Sequence, residues 1–189
     1  MKKIDENTVT NVSDLVSLKL FENSINFLTG EITEENVGEI IKWLVYEGLD
    51  QKKGRTLTLY INSTGGDLYQ ALALIDIMRT CPHPIRTVGL GAIMSAAFLI
   101  FAAGTKGHRY ITRNSGIMCH QFSSSTEAKY HDLKAEMKET ESLNSKMISV
   151  LKDATGMTSA AVKRKLLPAS DVYLTAEELI ELKIADQII

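Results

Sequence analysis

The chain has 189 residues, 44% of them hydrophobic, which suits one compact core rather than two. Its 21 basic and 23 acidic side chains leave a formal charge of −2 with no Lys/Arg-rich block, so the counterion release that drives nucleic-acid binding has no source and no nucleic-acid partner is expected. Two cysteines, Cys81 and Cys119, lack metal-ligand spacing and read as free thiols of a reducing compartment, with cytoplasm as the default, rather than as a disulfide or a zinc site.

At the N-terminus, Lys2 and Lys3 are followed by Asp5 and Glu6, not by the apolar core of an export signal. Residues 1–16 are expected to be flexible and residues 17–189 to form a single domain. Strands and helices then alternate: a strand at 24–28, a helix at 34–47 with Val37, Ile40, Ile41, Leu44 and Val45 at helical spacing, and a strand where Leu57, Leu59 and Ile61 alternate with Thr58 and Tyr60. Thr33 is placed to cap the first of these helices and Gly48 to end it. The turn Ile61 to Asp67 (INSTGGD) leads into a helix marked by Leu68, Ala71, Leu72, Ile75 and Met78. Pro82 to Pro84 break that helix before a strand over 85–90, which makes a βαβ unit.

A second strand-to-helix turn, Gly89 to Ala97 (GLGAIMSAA), opens a helix from about Ser95 to Ala103. The apolar run 93–103 is too short to span a bilayer, so no membrane partner is expected. Short strands are predicted over 109–112 and 116–119. The expected fold is therefore α/β with a mostly parallel sheet, and both turns should leave it at one edge, where such folds place their chemistry.

From Glu127 to Asp153 the spacing of Tyr130, Leu133, Met137, Thr140, Asn144, Met147 and Leu151 predicts one long helix of about 40 Å. Its mixed stripe suits a subunit contact; the alternative is a helix folded back on its own sheet. A short helix near 158–166, the segment 168–174, a capping box of Thr175 and Glu178, and a last helix and strand complete the chain.

The second turn delivers Ser95 at a helix N-terminus, and the first delivers bare backbone at Gly65 and Gly66. A hydroxyl becomes a nucleophile only with a base in reach, an acid to orient that base and donors for the oxyanion. Ser95 supplies the hydroxyl, and the N–H groups of Ala96 and of the glycine turn supply the oxyanion donors. Each residue also has an ordinary structural reading: Ser95 as a helix cap, the glycine pair as a turn, His120 as a core histidine and Asp171 as a loop residue. Among the four histidines, His120 differs in ending an apolar strand before a polar loop, whereas His83 lies between prolines, His108 in a basic turn and His131 on the long helix.

Four stretches together, NSTGGD at 62–67, GAIMSAAFLIFAAGTKGHRY at 91–110, NSGIMCHQ at 114–121 and DVYLTAEELIELKIADQI at 171–188, resemble the ClpP family of caseinolytic serine proteases; FLTGEI at 27–32 is similar to its first strand and turn. The resemblance implies a ClpP/crotonase-like fold of stacked ββα units with a protruding helix. It implies Ser95 as nucleophile, His120 as general base and acid, and Asp171 as the group orienting the imidazole, with oxyanion donors at the N–H groups of Gly66 and Ala96. Peptide substrate would pair as an added strand along Asp67 onward and along Phe122 and Ser123 onward. It further implies heptameric rings stacked as a tetradecamer through the long helix, unfolded polypeptide substrates, and a hexameric AAA+ unfoldase as partner. ATP would be used by that unfoldase, with no cofactor or metal in this chain.

Several positions depart from the family pattern. Thr64 replaces a proline and Asp67 a small aliphatic residue around the glycine pair, which puts a carboxylate beside the cleft. Ser123, Ser124, Ser125 and Thr126 stand where a glycine-rich strand is usual, and Ser170 replaces an arginine of a ring-to-ring ion pair. The unfoldase-docking positions keep Tyr60, Val88, Leu90 and Ile189 but carry Thr58, Thr80 and Thr112, which weakens an apolar anchor site. A mixed ring with another ClpP-type subunit is thus an alternative to a homomeric one. Two further readings are a non-catalytic ring subunit and a crotonase-type acyl-CoA enzyme. The first is disfavoured because all three chemical residues are retained, and the second because no acid/base carboxylates can be placed in the turns. A relative of the signal-peptide peptidases with a Ser-Lys dyad is disfavoured by the missing membrane segment.

Overall fold

Leu57, Leu59 and Ile61 are all fully buried while Thr58 and Tyr60 point to the other face, and this period of two makes the central strand of the sheet. The computed structural model describes residues 11–49, 54–123, 127 and 129–189. In it, strands β1 (Ile25–Ile32), β2 (Leu57–Gly66), β3 (Ile85–Met94), β4 (Arg109–Ile111) and β7 (Gln187–Ile188) lie side by side in that order, all parallel. Strand β5 (Gly116–Cys119) pairs in parallel with the far end of β3, and β6 (Val172–Leu174) pairs antiparallel with β5. The expected α/β architecture with a mostly parallel sheet is what is found.

The helices are α1 (Val12–Glu22), α2 (Glu34–Gly48), α3 (Leu68–Thr80), α4 (Ala96–Ala102), α5 (Tyr130–Thr155), α6 (Ser159–Lys165) and α7 (Ala176–Glu181). Helix α4 is apolar on every side and every residue of it is buried, because it lies on β2 and β3 beneath α3 and α5. Both anticipated caps form. The Thr33 side chain accepts from Asn36 N–H at the start of α2, and Thr175 and Glu178 make a reciprocal capping box at α7.

The structure corrects the sequence reading in four places. The segment 12–16, expected to be flexible, is helical, because Asn11 caps α1 by accepting from Asp14 N–H; residues 1–10 lie outside the described residues. Both glycine turns are mostly strand: β2 continues to Gly66 and β3 to Met94, so each chain reversal is compressed into one residue, Asp67 or Ser95. A register shift between Ile61 and Ser63 accommodates this, bridged by the Asn62 carboxamide accepting from Ala92 N–H. On α2 the buried face includes Trp43 and Glu47 rather than Val45, since Arg55 and the Trp43 indole N–H satisfy the Glu47 carboxylate inside the protein.

The fourth concerns the long helix, which starts at Tyr130 rather than 127 and runs to Thr155, where Gly156 in the left-handed conformation ends it. Its two halves behave differently. Met147, Ile148, Val150 and Leu151 are buried against the molecule's own core and Leu143 is also buried, whereas Tyr130, Leu133 and Met137 are exposed. The fold-back reading therefore holds for the C-terminal half of the helix, and the N-terminal half is left exposed.

Candidate active site

Strand register brings three distant residues to one point. Met94 of β3 pairs with Met118 of β5, and the Ser95 N–H donates to the Met118 carbonyl at 3.0 Å. Cys119 of β5 pairs antiparallel with Val172 of β6, so the next step on each strand sets His120 opposite Asp171. The result is a line: Ser95 Oγ lies 2.7 Å from His120 Nε2, and His120 Nδ1 lies 3.5 Å from Asp171 Oδ1. The first is a short hydrogen bond; the second is a contact somewhat longer than one. The imidazole is about three-quarters buried and the Asp171 carboxylate half exposed.

Ser95 does not behave as an ordinary cap. It occupies the N-cap position of α4, yet its hydroxyl makes no hydrogen bond to the helix and its backbone sits at φ 54°, ψ −124°, outside the usual regions for a non-glycine residue. The strained turn points the hydroxyl away from the helix and toward His120. The other histidines lie elsewhere: His83 is buried with Nε2 against the Glu47 carbonyl, and His131 is on the solvent face of α5.

Gly65 comes against this turn, and Gly66 against β1, so closely that side chains are excluded. A Cβ at Gly65 would stand 2.7 Å from the Ser95 Cβ, and one at Gly66 would stand 2.5 Å from the Ile32 carbonyl oxygen; both residues also have positive φ. Gly66 and Ala96 line a cleft beside Ser95 together with His120, Leu68, Leu99, Cys119, Phe122 and Met147. Leu68, Leu99, Cys119 and Met147 were not anticipated there. Leu99, one helical turn after Ser95, is the one that spacing could have flagged, whereas Met147 looked like part of an intersubunit stripe. Burial pushes the Cys119 thiol up to about 12, only partly opposed by the His120 N–H, so it stays protonated and acts as an apolar wall.

Asp67 is placed differently from the expectation that its carboxylate meets substrate. Its Oδ1 accepts from Tyr69 N–H at 2.7 Å and from Gln70 N–H at 3.1 Å, which caps α3, and the chain is helical from Leu68 on. The extended stretch available for pairing therefore ends at Asp67. Phe122 is half-buried in the cleft wall and Ser123 is exposed after it, while residues 124–126 lie outside the described residues. An unforeseen contact steadies this stretch, with Gln121 Nε2 donating to the Leu167 carbonyl at 2.8 Å.

The model of the Clp protease family matches residues 7–189. The chain belongs to the Clp protease family. It is 37% identical over 172 residues to the ATP-dependent Clp protease proteolytic subunit 1 of Corynebacterium diphtheriae, a match covering 90% of this chain and 80% of that protein. It is also 36% identical to the proteolytic subunit 2 of Corynebacterium jeikeium, again over 90% of this chain and 80% of the relative, and 34% identical to subunit 2 of Mycobacterium leprae over 90% and 79%. Among the described residues of this Clp protease chain no helix is long and apolar enough to cross a membrane.

Of the positions expected to receive an unfoldase, Thr58, Tyr60 and Val88 lie on the face of the sheet turned away from Leu57, Leu59 and Ile61, whereas Thr80 ends α3. Phe27, Tyr60, Val88 and Tyr110 are in register across β1 to β4, with Phe27 stacked on Tyr60 at 5.1 Å between ring centroids and Arg86 over the Tyr110 ring. Thr58 is buried, Thr112 half-buried and Thr80 exposed.

Proposed function

We propose that this Clp protease chain is a serine endopeptidase, the proteolytic subunit of a compartment built from stacked heptameric rings. Ser95 Oγ attacks the scissile carbonyl while His120 Nε2 accepts its proton. Asp171 orients the imidazole through Nδ1–H and stabilises the imidazolium that forms. The N–H groups of Gly66 and Ala96 bind the oxyanion of the tetrahedral intermediate. His120 then returns the proton to the departing amine, and water hydrolyses the acyl-enzyme by the same exchange in reverse. The observation that carries this reading is the 2.7 Å contact between Ser95 Oγ and His120 Nε2, made by a serine whose hydroxyl is turned away from its own helix. The 3.5 Å separation of His120 and Asp171 is of the kind that tightens when substrate binds and charge develops on the ring.

Substrate is unfolded polypeptide, extended between the strand end at Gly65 to Asp67 and the segment at Phe122 and Ser123. No cofactor or metal is needed in this chain; ATP is consumed by an AAA+ unfoldase that docks on the aromatic face around Tyr60. The relatives' names, an ATP-dependent protease with proteolytic subunits 1 and 2, support both that partnership and a mixed ring with a second ClpP-type chain. The compartment is assigned to the cytoplasm on the free thiols.

Active-site labelling tests the assignment. A fluorophosphonate probe is expected to modify Ser95 in the wild-type particle, to fail with Ser95→Ala, and to react more slowly with His120→Ala by about three orders of magnitude or more. Equal labelling of wild type and both variants would reject it.

A further inference from the structure

Two residues without side chains, Gly65 and Gly66, carry the strand end against Ser95, and both sit at positive φ. Backbone pairing with Glu31 and Ile32 of β1 holds them up to Gly66, where the strand ends, so the direction of the Gly66 amide also depends on how the next residue is held. Asp67 is held on both sides. Its N–H donates to the Ile32 carbonyl of β1 at 3.0 Å, and its carboxylate accepts from Tyr69 N–H and Gln70 N–H at the start of α3. Because N–H directions alternate along an extended chain, an Asp67 N–H turned to β1 sends the Gly66 N–H to the opposite edge, the side on which Ser95 stands.

We propose that Asp67 is a positioning residue for the oxyanion site: by capping α3 while its N–H is bonded to β1, its carboxylate fixes the turn directly after Gly66 and so keeps the Gly66 N–H beside Ser95. This rests on the reading of Ser95 as nucleophile. It assigns the carboxylate a task other than selecting basic peptides. With one oxygen committed to two backbone donors of the helix, the group acts on the rate through the amide that precedes it rather than on affinity through the substrate.

The test is hydrolysis of short fluorogenic peptides by the assembled particle, comparing wild type with Asp67→Ala, Asp67→Asn and Asp67→Ser, with melting temperature followed in parallel. Asp67→Ala is expected to lose about ten- to a hundredfold in kcat with KM changed less than about twofold, part of the loss seen when an oxyanion donor is removed outright. Asn and Ser also accept from the second and third helical N–H groups, so those variants restore kcat to within about threefold of wild type. Asp67→Asn is also expected to leave the ratio of cleavage after Lys to cleavage after Glu as in wild type. If Asp67→Ala does not assemble, Asp67→Gly replaces it, since glycine is tolerated as a cap but lacks the acceptor, and the same fall in kcat is required. The inference is overturned if kcat survives in Asp67→Ala or Asp67→Gly, if the loss is as large in Asp67→Asn, or if KM and peptide preference move instead. Failure of the underlying assignment looks different: the wild-type particle would itself neither label at Ser95 nor cleave any of the peptides.

Discussion

A methyl group added at Gly65 would meet the Ser95 Cβ at 2.7 Å, the Met94 carbonyl at 3.0 Å and the Ala96 nitrogen at 3.2 Å, all parts of the one turn that presents the hydroxyl. None of these is the free end of a side chain, so relief must come from backbone movement at the turn. Gly65→Ala is therefore expected to lower kcat/KM by at least about a hundredfold, with a stability loss of about 1–3 kcal/mol from φ strain, measurable by peptide hydrolysis and thermal melting. Wild-type kinetics in that variant would mean the two strand ends are further apart than 2.7 Å implies. This contact was only half legible in the sequence. A glycine pair before a helix signals a turn, but the identity of its neighbour depends on β2 and β3 running side by side to residues 63 and 93, which no local pattern encodes. Ser95 and His120 were legible because each follows an apolar strand at a polar boundary, and all three of Ser95, His120 and Asp171 fall in stretches resembling a known family. Asp67 was ambiguous because a carboxylate after a glycine turn serves equally as substrate contact and as helix cap, and only the positions of Tyr69 N–H and Gln70 N–H reveal the cap.

At the level of elements, α5 divides into a half buried on the molecule's own core and a half left exposed. Its apolar spacing continues without a break from Tyr130 to Leu151, so the sequence shows one stripe where the fold has an exposed end and a buried one. The division follows from length: 26 residues reach about 39 Å, further than the sheet and α4 extend beneath them. Exposed polar ties, Tyr69 Oη to Glu139 at 3.1 Å and Arg79 to Asp153 at 2.9 Å, fasten α3 along it. An exposed apolar end rimmed by charge is the surface on which the proposed ring stacking depends. The double change Leu133→Asp and Met137→Asp is expected to leave the melting temperature of the subunit within about 2 °C while halving the particle mass in analytical ultracentrifugation. Met147→Asp, which places a carboxylate in the core, is expected to prevent folding. A stable full-size particle from the double variant would remove α5 from the ring contact.

For the molecule as a whole, one buried ion pair joins the last residues to the centre. Arg109 of β4 is almost fully buried; its guanidinium meets Asp186 through two hydrogen bonds at 2.9 and 2.7 Å and donates to the Ala154 carbonyl of α5 at 3.1 Å, so β4, the turn before β7 and the end of α5 share one cation. Burial by itself pushes the Asp186 carboxyl up, but the Arg109 guanidinium and the N–H groups of Arg109 and Gly107 outweigh it and hold the group below its usual value. A carboxyl whose folded pKa is depressed binds its proton more readily in the unfolded chain, so its contribution is complete above the unfolded pKa of about 3.9 and fades as pH falls through that value toward the lower folded one. Asp186→Asn leaves a buried guanidinium without its counter-charge and is expected to cost about 3 kcal/mol at pH 7, somewhat less than a fully enclosed pair because Asp186 is about one-fifth exposed. Below about pH 4 wild type loses the same contribution by protonation, so the urea midpoints of the two proteins should converge as the pH is lowered from 7 to 3. A gap between them that stays constant across that range would show that packing around residue 186, rather than its charge, secures the C-terminal strand.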